Sequence, residues 1–495
     1  MACQIIPFPE ELHPCLPTIV GNVDYLTLRQ RLEQIDTLLC QSGVERDFVQ
    51  RALAAWKRAA SGEPTAREQE KFQQRSRRAL RCTVLRTLLQ EDYRGFSCQL
   101  AGNPLYQWFC RIDALDQVRV PSKSEVQRFA HWLDAEQMRK VIDQLLKGAL
   151  DQPRKLGLKE ALDLEEYFLD STCLKANIHF PTDWVLLRDG VRTLMKATLL
   201  IRQAGLRGRM QAPEEFLRRM NRLSIAMSQQ ARRAGRKKGR KRVLRAMKKL
   251  VGVVRGHARR HRDLLDEQWQ QTEWTQAQAQ QILRRVDGVL ELLPRAQKQA
   301  HERIIGARPV ANAEKILSLY DPAVRVIVRG KAGAEVEFGN TVLLGENRQG
   351  VILDYEFFRD SAPADSQLLF GSLLRVWEAT GHHVGGVVTD RGFASADNSR
   401  TLKEGGTFDG LCPRQPAELS RRMKGKKFAR LQRRRAQTEG RIGILKHRFL
   451  GQPMRAKGFD HRQLALGWGV LTHNLWMFAR MRKTKKRSLA LTAAA

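Results

Sequence analysis

The chain has 495 residues, 42% hydrophobic and 28% charged, with 87 Lys and Arg against 52 Asp and Glu and a formal charge of +35. The length exceeds one ordinary core and suggests roughly two to four domains, and Pro and Gly are too few for a low-complexity chain. So large a positive excess repels itself unless a polyanion neutralises it; nucleic acid is the usual one, against the plainer readings of a ribosomal protein or a merely basic solvated surface.

The eight cysteines are scattered with no close pair, which excludes a zinc site built on C-x-x-C and fits reduced thiols. His257 and His261, four apart in a very basic stretch, read as solvated or phosphate-facing. Residues 1–17 lack a long apolar run, and the apolar stretch 464–478 contains His473 and Asn474 and is too short to cross a bilayer. The expected location is the cytoplasm, with no membrane partner.

In chain order, residues 1–150 are predicted to form an α-helical amino-terminal domain that binds DNA. Leu26, Leu28, Leu32, Ile35, Leu38 and Leu39 recur near helical spacing, and Val126, Phe129, Leu133, Met138, Val141, Ile142, Leu145 and Leu146 do so again. Such spacing equally fits plain core. Pro121, Ser122, Lys123 and Ser124 mark a helix start with Ser124 as the N-cap. Residues 151–183 open an α/β domain, with a short strand from Glu166 to polar Asp170, Ser171 and Thr172.

Residues 184–300 read as a basic helical insertion, with its densest charge at 232–249 and 255–262. Gly235 and Gly239 interrupt the helical pattern and predict a mobile basic loop. Arg236, Lys237, Lys238, Arg240, Lys241 and Arg242 are its candidate phosphate contacts, although a basic run is often only a solvated face.

Residues 301–480 complete the α/β domain: a strand at 324–328, a hairpin from 336–344 and 351–357, a helix at 365–380, strands at 385–389 and near 408–412, and helices at 424–446 and 461–480. Residues 481–495 are a basic, then Ala-rich, tail.

Three acids stand at telling places. Asp170 and Asp390 end strands, and Glu439 lies in the late basic helix. Carboxylates at the ends of neighbouring strands leave the same sheet edge, and a helix laid across the sheet brings in a third. Three such groups repel unless protonated or bridged by cations, and Mg²⁺ takes oxygen ligands. Each also has an ordinary reading: an Asx-type turn for Asp170, a β-turn before Arg391 and Gly392 for Asp390, and a surface ion pair for Glu439. The order strand-Asp, hairpin, helix, strand-Asp, helix-Glu is far harder to reach by accident.

Asp170 to Thr172 with the stretch 177–190 resembles the first catalytic region of DDE transposases from bacterial insertion sequences; 387–393 resembles the second and 438–446 the third. One large group shares Tyr, two residues, Arg, three residues, Glu, six residues, Lys. Arg435, Glu439 and Lys446 fall at those spacings, with Gln432 in the Tyr position.

The resemblance implies an RNase H-like mixed sheet flanked by helices, carrying an α-helical amino-terminal domain and a large α-helical insertion. It implies Asp170, Asp390 and Glu439 as catalytic residues holding two Mg²⁺ ions, with Mn²⁺ as a substitute, and Arg435 and Lys446 gripping phosphates. The partners it implies are double-stranded DNA, as transposon ends and target, and further copies of the chain in a homodimer or higher oligomer, in a nucleoid-associated bacterial setting. The implied reaction is strand cleavage at the ends followed by strand transfer. The rivals are a metal-dependent nuclease without strand transfer and a non-catalytic, transposase-derived DNA-binding protein. The insertion follows the first strand, whereas resembling enzymes often place theirs before the last acid; it is expected to serve DNA binding, dimerisation or both. Asp183, Asp189, Asp354 and Asp365 are set aside as primary ligands, although Asp354, in the hairpin's second strand, could face the site; Asp365 reads more simply as the N-cap of its helix.

Overall fold

The computed structural model describes residues 16, 18–112, 114, 117–231, 236–331 and 334–482. Seven helices come first: α1 (Val23–Gln41), α2 (Val44–Ala59), α3 (Ala66–Leu89), α4 (Tyr93–Gly102), α5 (Pro104–Phe109), α6 (Lys123–Phe129) and α7 (Ala135–Asp151). Strand β1 (Tyr167–Lys175) is followed by α8 (Asp183–Gln203), α9 (Pro213–Ala231), α10 (Arg236–Gln268) and α11 (Gln276–Ala300). The chain then runs through β2 (Arg325–Lys331), β3 (Ala334–Asn347), β4 (Ile352–Phe357), α12 (Asp365–Thr380), β5 (Gly386–Thr389), α13 (Ala396–Glu404) and β6 (Phe408–Leu411). It closes with α14 (Pro416–Met423), α15 (Lys426–Ile444), a π-helical turn (Leu445–Leu450) and α16 (Phe459–Met481).

The protein is mixed α/β with one mixed sheet. β1 is central, antiparallel to β3 and parallel to β5, and β5 is parallel to β6. The long β3 carries two antiparallel strands end to end on its far edge, β2 beside Val336 to Gly339 and β4 beside Val342 to Glu346. The edge of β4 is stitched to α16: Asn474 Oδ1 accepts from Ile352 N at 3.0 Å, and Asn474 Nδ2 donates to Ile352 O at 2.8 Å. A buried strand edge is thereby satisfied.

Burial follows the period of each element. Leu32, Phe48, Leu85 and Leu145 of the first helices share one core with Leu169, Leu344, Leu353, Leu369 and Leu471. The amino-terminal helices therefore pack directly on one face of the sheet. Arg139 of α7 reinforces this contact, reaching buried Asp354 at 3.0 Å, where Arg375 and Ser372 also bind. The helices α8–α11 build a second core from residues such as Leu187, Leu194, Met227, Leu244, Met247 and Leu293.

Several local expectations change. The N-cap of α6 is Ser122, which accepts from Glu125 N, rather than Ser124. Gly239 does not break the chain: it lies inside α10, and a Cβ there would meet Gln230 Oε1 at 2.1 Å, so it permits close packing of α9 on α10. The other half of the expected loop, residues 232–235, lies outside the described residues, as does the tail beyond Arg482. His261 is fully buried rather than solvated, accepting from Gly208 N at 3.3 Å, and burial lowers its pKa. Among the described residues, no helix is long and apolar enough to cross a membrane.

Candidate active site

The parallel register of β1 on β5 pairs Tyr167 with Val387 and Phe168 with Val388. Two residues beyond that last pair stand Asp170 and Asp390, so both carboxylates leave the sheet at the same level. Side chains alternate along a strand, which puts Asp170 on the face of Phe168 and Asp390 on that of Val388. On that face Phe168 and Val388 pack against Leu431 of α15. Two steps of i,i+4 from Leu431 lead through Arg435 to Glu439, keeping all three on one stripe of the helix. The result is a cleft of about 750 Å³ whose lining includes Asp170, Asp390, Arg435, Glu439 and Lys446.

The helix that delivers Glu439 is seated by polar contacts on either side of it. Gln432 Nε2 donates to Gly410 O at 2.7 Å, at the end of β6. Thr438 Oγ1 donates to Glu346 Oε1 at 2.9 Å, and Arg434 and Arg441 each stand 3.7 Å from the same carboxylate. Burial pushes the Glu346 pKa up, opposed mainly by Arg441. Glu346 was not singled out from the sequence. In the sequence it falls among the residues 345–350 that read as the hairpin turn, and nothing there marks it.

The electrostatics single out Asp170. Its pKa is pushed up to about 6, first by burial and then by the charge of Asp390, with Glu439 adding less; Arg435 and the Ser171 amide oppose the rise. The turn reading holds for Asp390, whereas Asp170 neither ends its strand nor forms an Asx turn: it lies inside β1, opposite Leu344. Asp170 Oδ1 accepts from Ser171 N at 2.8 Å, and Asp390 Oδ1 from Gly392 N at 2.9 Å. Among the described residues, the second oxygen of each has no hydrogen bond. Cations face this acidic edge. Lys446 Nζ donates to Thr172 Oγ1 at 2.5 Å, and Arg435 Nε is buried without a hydrogen-bond partner.

The set-aside acids occupy different places. Asp354 does not face the cleft: it is 1% exposed on the opposite face, held by Arg139 and Arg375. Asp183 accepts from Gln299 and Arg303 in the second core, and Asp189 pairs with Arg188. Asp365 is not the N-cap of α12, a position taken by Ala364 with no side-chain cap bond. It lies in the first turn and lines the same cleft, where a Cβ on Gly392 would meet Asp365 Oδ2 at 2.7 Å and Asp390 Oδ1 at 3.1 Å. A side chain at 392 would therefore displace one or both of those carboxylates.

The basic candidates divide. Arg435 and Lys446 are in the cleft, while Lys237, Lys238 and Arg242 are exposed and Arg240 and Lys241 half-buried on the first turns of α10, away from it. Arg236 begins α10, with its side chain outside the described residues.

The carboxylates suit a hard divalent cation in donor type, and burial, with the Asp390 charge second, raises the Asp170 pKa despite Arg435. They do not close on one point: among the described residues no group of three or more His, Cys, Asp or Glu stands at metal-binding closeness. The fit is one of donor chemistry and not of completed geometry. No family model, curated protein or solved structure matches the chain.

Proposed function

We propose that the protein is a DNA transposase of the DDE type, cleaving strands at transposon ends and transferring them into target DNA, with an RNase H-like catalytic domain. The observation that carries this reading is the convergence of Asp170, Asp390 and Glu439, from two parallel strands and a crossing helix, on one cleft that also holds Arg435 and Lys446. The sheet supports it: β4, β3, β1, β5 and β6 lie in that order, antiparallel as far as β1 and parallel beyond it. The charge of +35 supports a polyanionic substrate.

Asp170, Asp390 and Glu439 would hold Mg²⁺, with Mn²⁺ able to replace it. When bound, two such ions supply charge stabilisation to the attacking and leaving oxygens of a phosphodiester. The side chains themselves provide no nucleophile. Asp170 Oδ1 is held by the adjacent Ser171 amide within β1 and Asp390 Oδ1 by the Gly392 amide in a turn, which leaves the second oxygen of each for a cation. Arg435, with its buried, unpartnered Nε, and Lys446, anchored on Thr172, are placed to grip phosphate oxygens beside the acids. Gln432, Thr438 and Glu346 hold the helix in register so that Glu439 reaches the cleft.

The test is product analysis on labelled duplex DNA carrying the element's own ends, with Mg²⁺, comparing wild type and Asp390→Ala. The expected result is metal-dependent cutting and joining, both lost in the variant. Cutting without joining would select a nuclease. Tight binding without cleavage by either protein would leave a DNA-binding protein and refute the catalytic reading.

A further inference from the structure

Three arginines from three elements converge on one indole, far along the chain from one another. Arg31 of α1, Arg448 of the π-helical turn and Arg480 at the end of α16 place their guanidinium carbons 5.9, 4.9 and 4.8 Å from the centroid of Trp476. The indole is nearly buried, backed by Phe449 and His473.

The three share a lack of counter-charge. Arg81 binds Glu45 and Asp36, Arg375 binds Asp354 and Arg462 binds Asp321, whereas Arg86, like the three at Trp476, lies over an aromatic ring without an acid. No carboxylate among the described residues pairs with Arg31, Arg448 or Arg480. The Nη1 of Arg31 is buried with no hydrogen-bond partner. Burial lowers the Arg31 pKa, and the neighbouring charges of Arg480 and Arg448 lower it further, so these cations repel one another. The indole's π face offsets only part of that repulsion. Guanidinium forks fit phosphate oxygens in paired hydrogen bonds, and a phosphate would replace repulsion with attraction at all three. The π-helical turn carries cations on two sides: Lys446 lines the catalytic cleft and Arg448 stacks on Trp476.

We propose that Arg31, Arg448 and Arg480, seated on Trp476, form a second phosphate-binding site for the backbone of double-stranded DNA, separate from the cleft and from the basic turns of α10. The site joins the amino-terminal helices to the catalytic helix segment through the same DNA. It rests on DNA as the partner in the proposed function and not on the cleavage chemistry.

The experiment measures the affinity of the full chain for a fluorescent duplex across a salt series, with melting temperatures recorded in parallel. Wild type is compared with the double variant Arg31→Gln, Arg480→Gln and with Arg31→Lys, Arg480→Lys. The Gln variant is expected to lose about 0.9 from the log–log salt slope for each phosphate contact removed, while the Lys variant keeps most of the slope. Because mutual repulsion is relieved, the Gln variant is expected to melt no lower than wild type. An unchanged slope in a Gln variant, with wild type binding duplex, overturns the site and leaves the cleavage test untouched. A lower melting temperature with an unchanged slope makes these arginines structural and also overturns it. Stabilisation of wild type alone by inorganic phosphate, without a slope change, assigns a free-anion site and overturns the DNA assignment. Failure of wild type to bind duplex at any salt refutes the partner itself, and the proposed function with it.

Discussion

Asp170 carries a costly charge in the cleft, and its consequence can be measured. Its folded pKa, about 6 against an ordinary 3.8, is raised, so the ionised form costs stability that is lost as pH rises between those values. The cost is on the order of 3 kcal/mol by that shift, and less after solvent screening. A divalent cation needs the ionised form and competes with the proton. Mg²⁺ is therefore expected to raise the melting temperature more well above pH 6 than below it; an equal shift on both sides would contradict the assignment. His473 works in the opposite sense. Burial holds its pKa near 4 against 6.5, so its contribution to stability is fully present above 6.5 and is lost as pH falls toward 4. His473→Gln is expected to flatten the acid limb of a urea-denaturation series by about 3 kcal/mol at most, and an unchanged limb would refute this. At this scale Asp390 and Glu439 were legible because an acid at a strand end or on a helix stripe leaves a pattern along the chain; Asp170 was picked out on the same ground, although β1 runs on past it to Lys175. Glu346, Arg31 and Trp476 were not, since what marks them is a partner, or the want of one, on another element.

For elements, the seat of α15 matters most, because Glu439 is only as well placed as its helix. Leu431 fills the gap between Phe168 and Val388, and Leu431→Ala is expected to cost about 2–5 kcal/mol and to weaken cleavage through displacement of the helix. The other face of the sheet is as tight. A Cβ on Gly345 would fall 1.7 Å from the Tyr167 hydroxyl, which bonds Ser372 Oγ at 2.7 Å. Gly345→Ala is expected to destabilise by roughly 1–3 kcal/mol, and Tyr167→Phe in the same chain to recover part of it in a double-mutant cycle read by denaturant midpoints. Purely additive losses would mean that the two residues do not compete for that space. Most helices and strands could be read from hydrophobic period, because the face each buries repeats along it. The misread points were those where a neighbour matters: Gly239 lies inside α10 against the Gln230 side chain of α9, and Asp365 yields the cap position to Ala364.

Across the whole molecule, the order of elements was legible but their grouping was less so. The amino-terminal helices share a core with the sheet, whereas α8–α11 have one of their own. That division depends on which apolar faces meet, which period alone does not encode. Met247→Ala, inside the second core, is expected to lower one of two calorimetric transitions and leave the other in place; a single transition moving as a whole would show that the cores unfold together.

The central claim is that three carboxylates act as one catalytic set, and the most direct measurement is single-turnover strand cleavage by Asp170→Asn, Asp390→Asn and Glu439→Gln, with duplex affinity determined for each. The expected result is a loss of about a hundredfold or more in each variant, a scale typical of removing one preorganised charge-stabilising group, with affinity held near that of wild type. Wild-type cleavage by any one of the three would contradict the account.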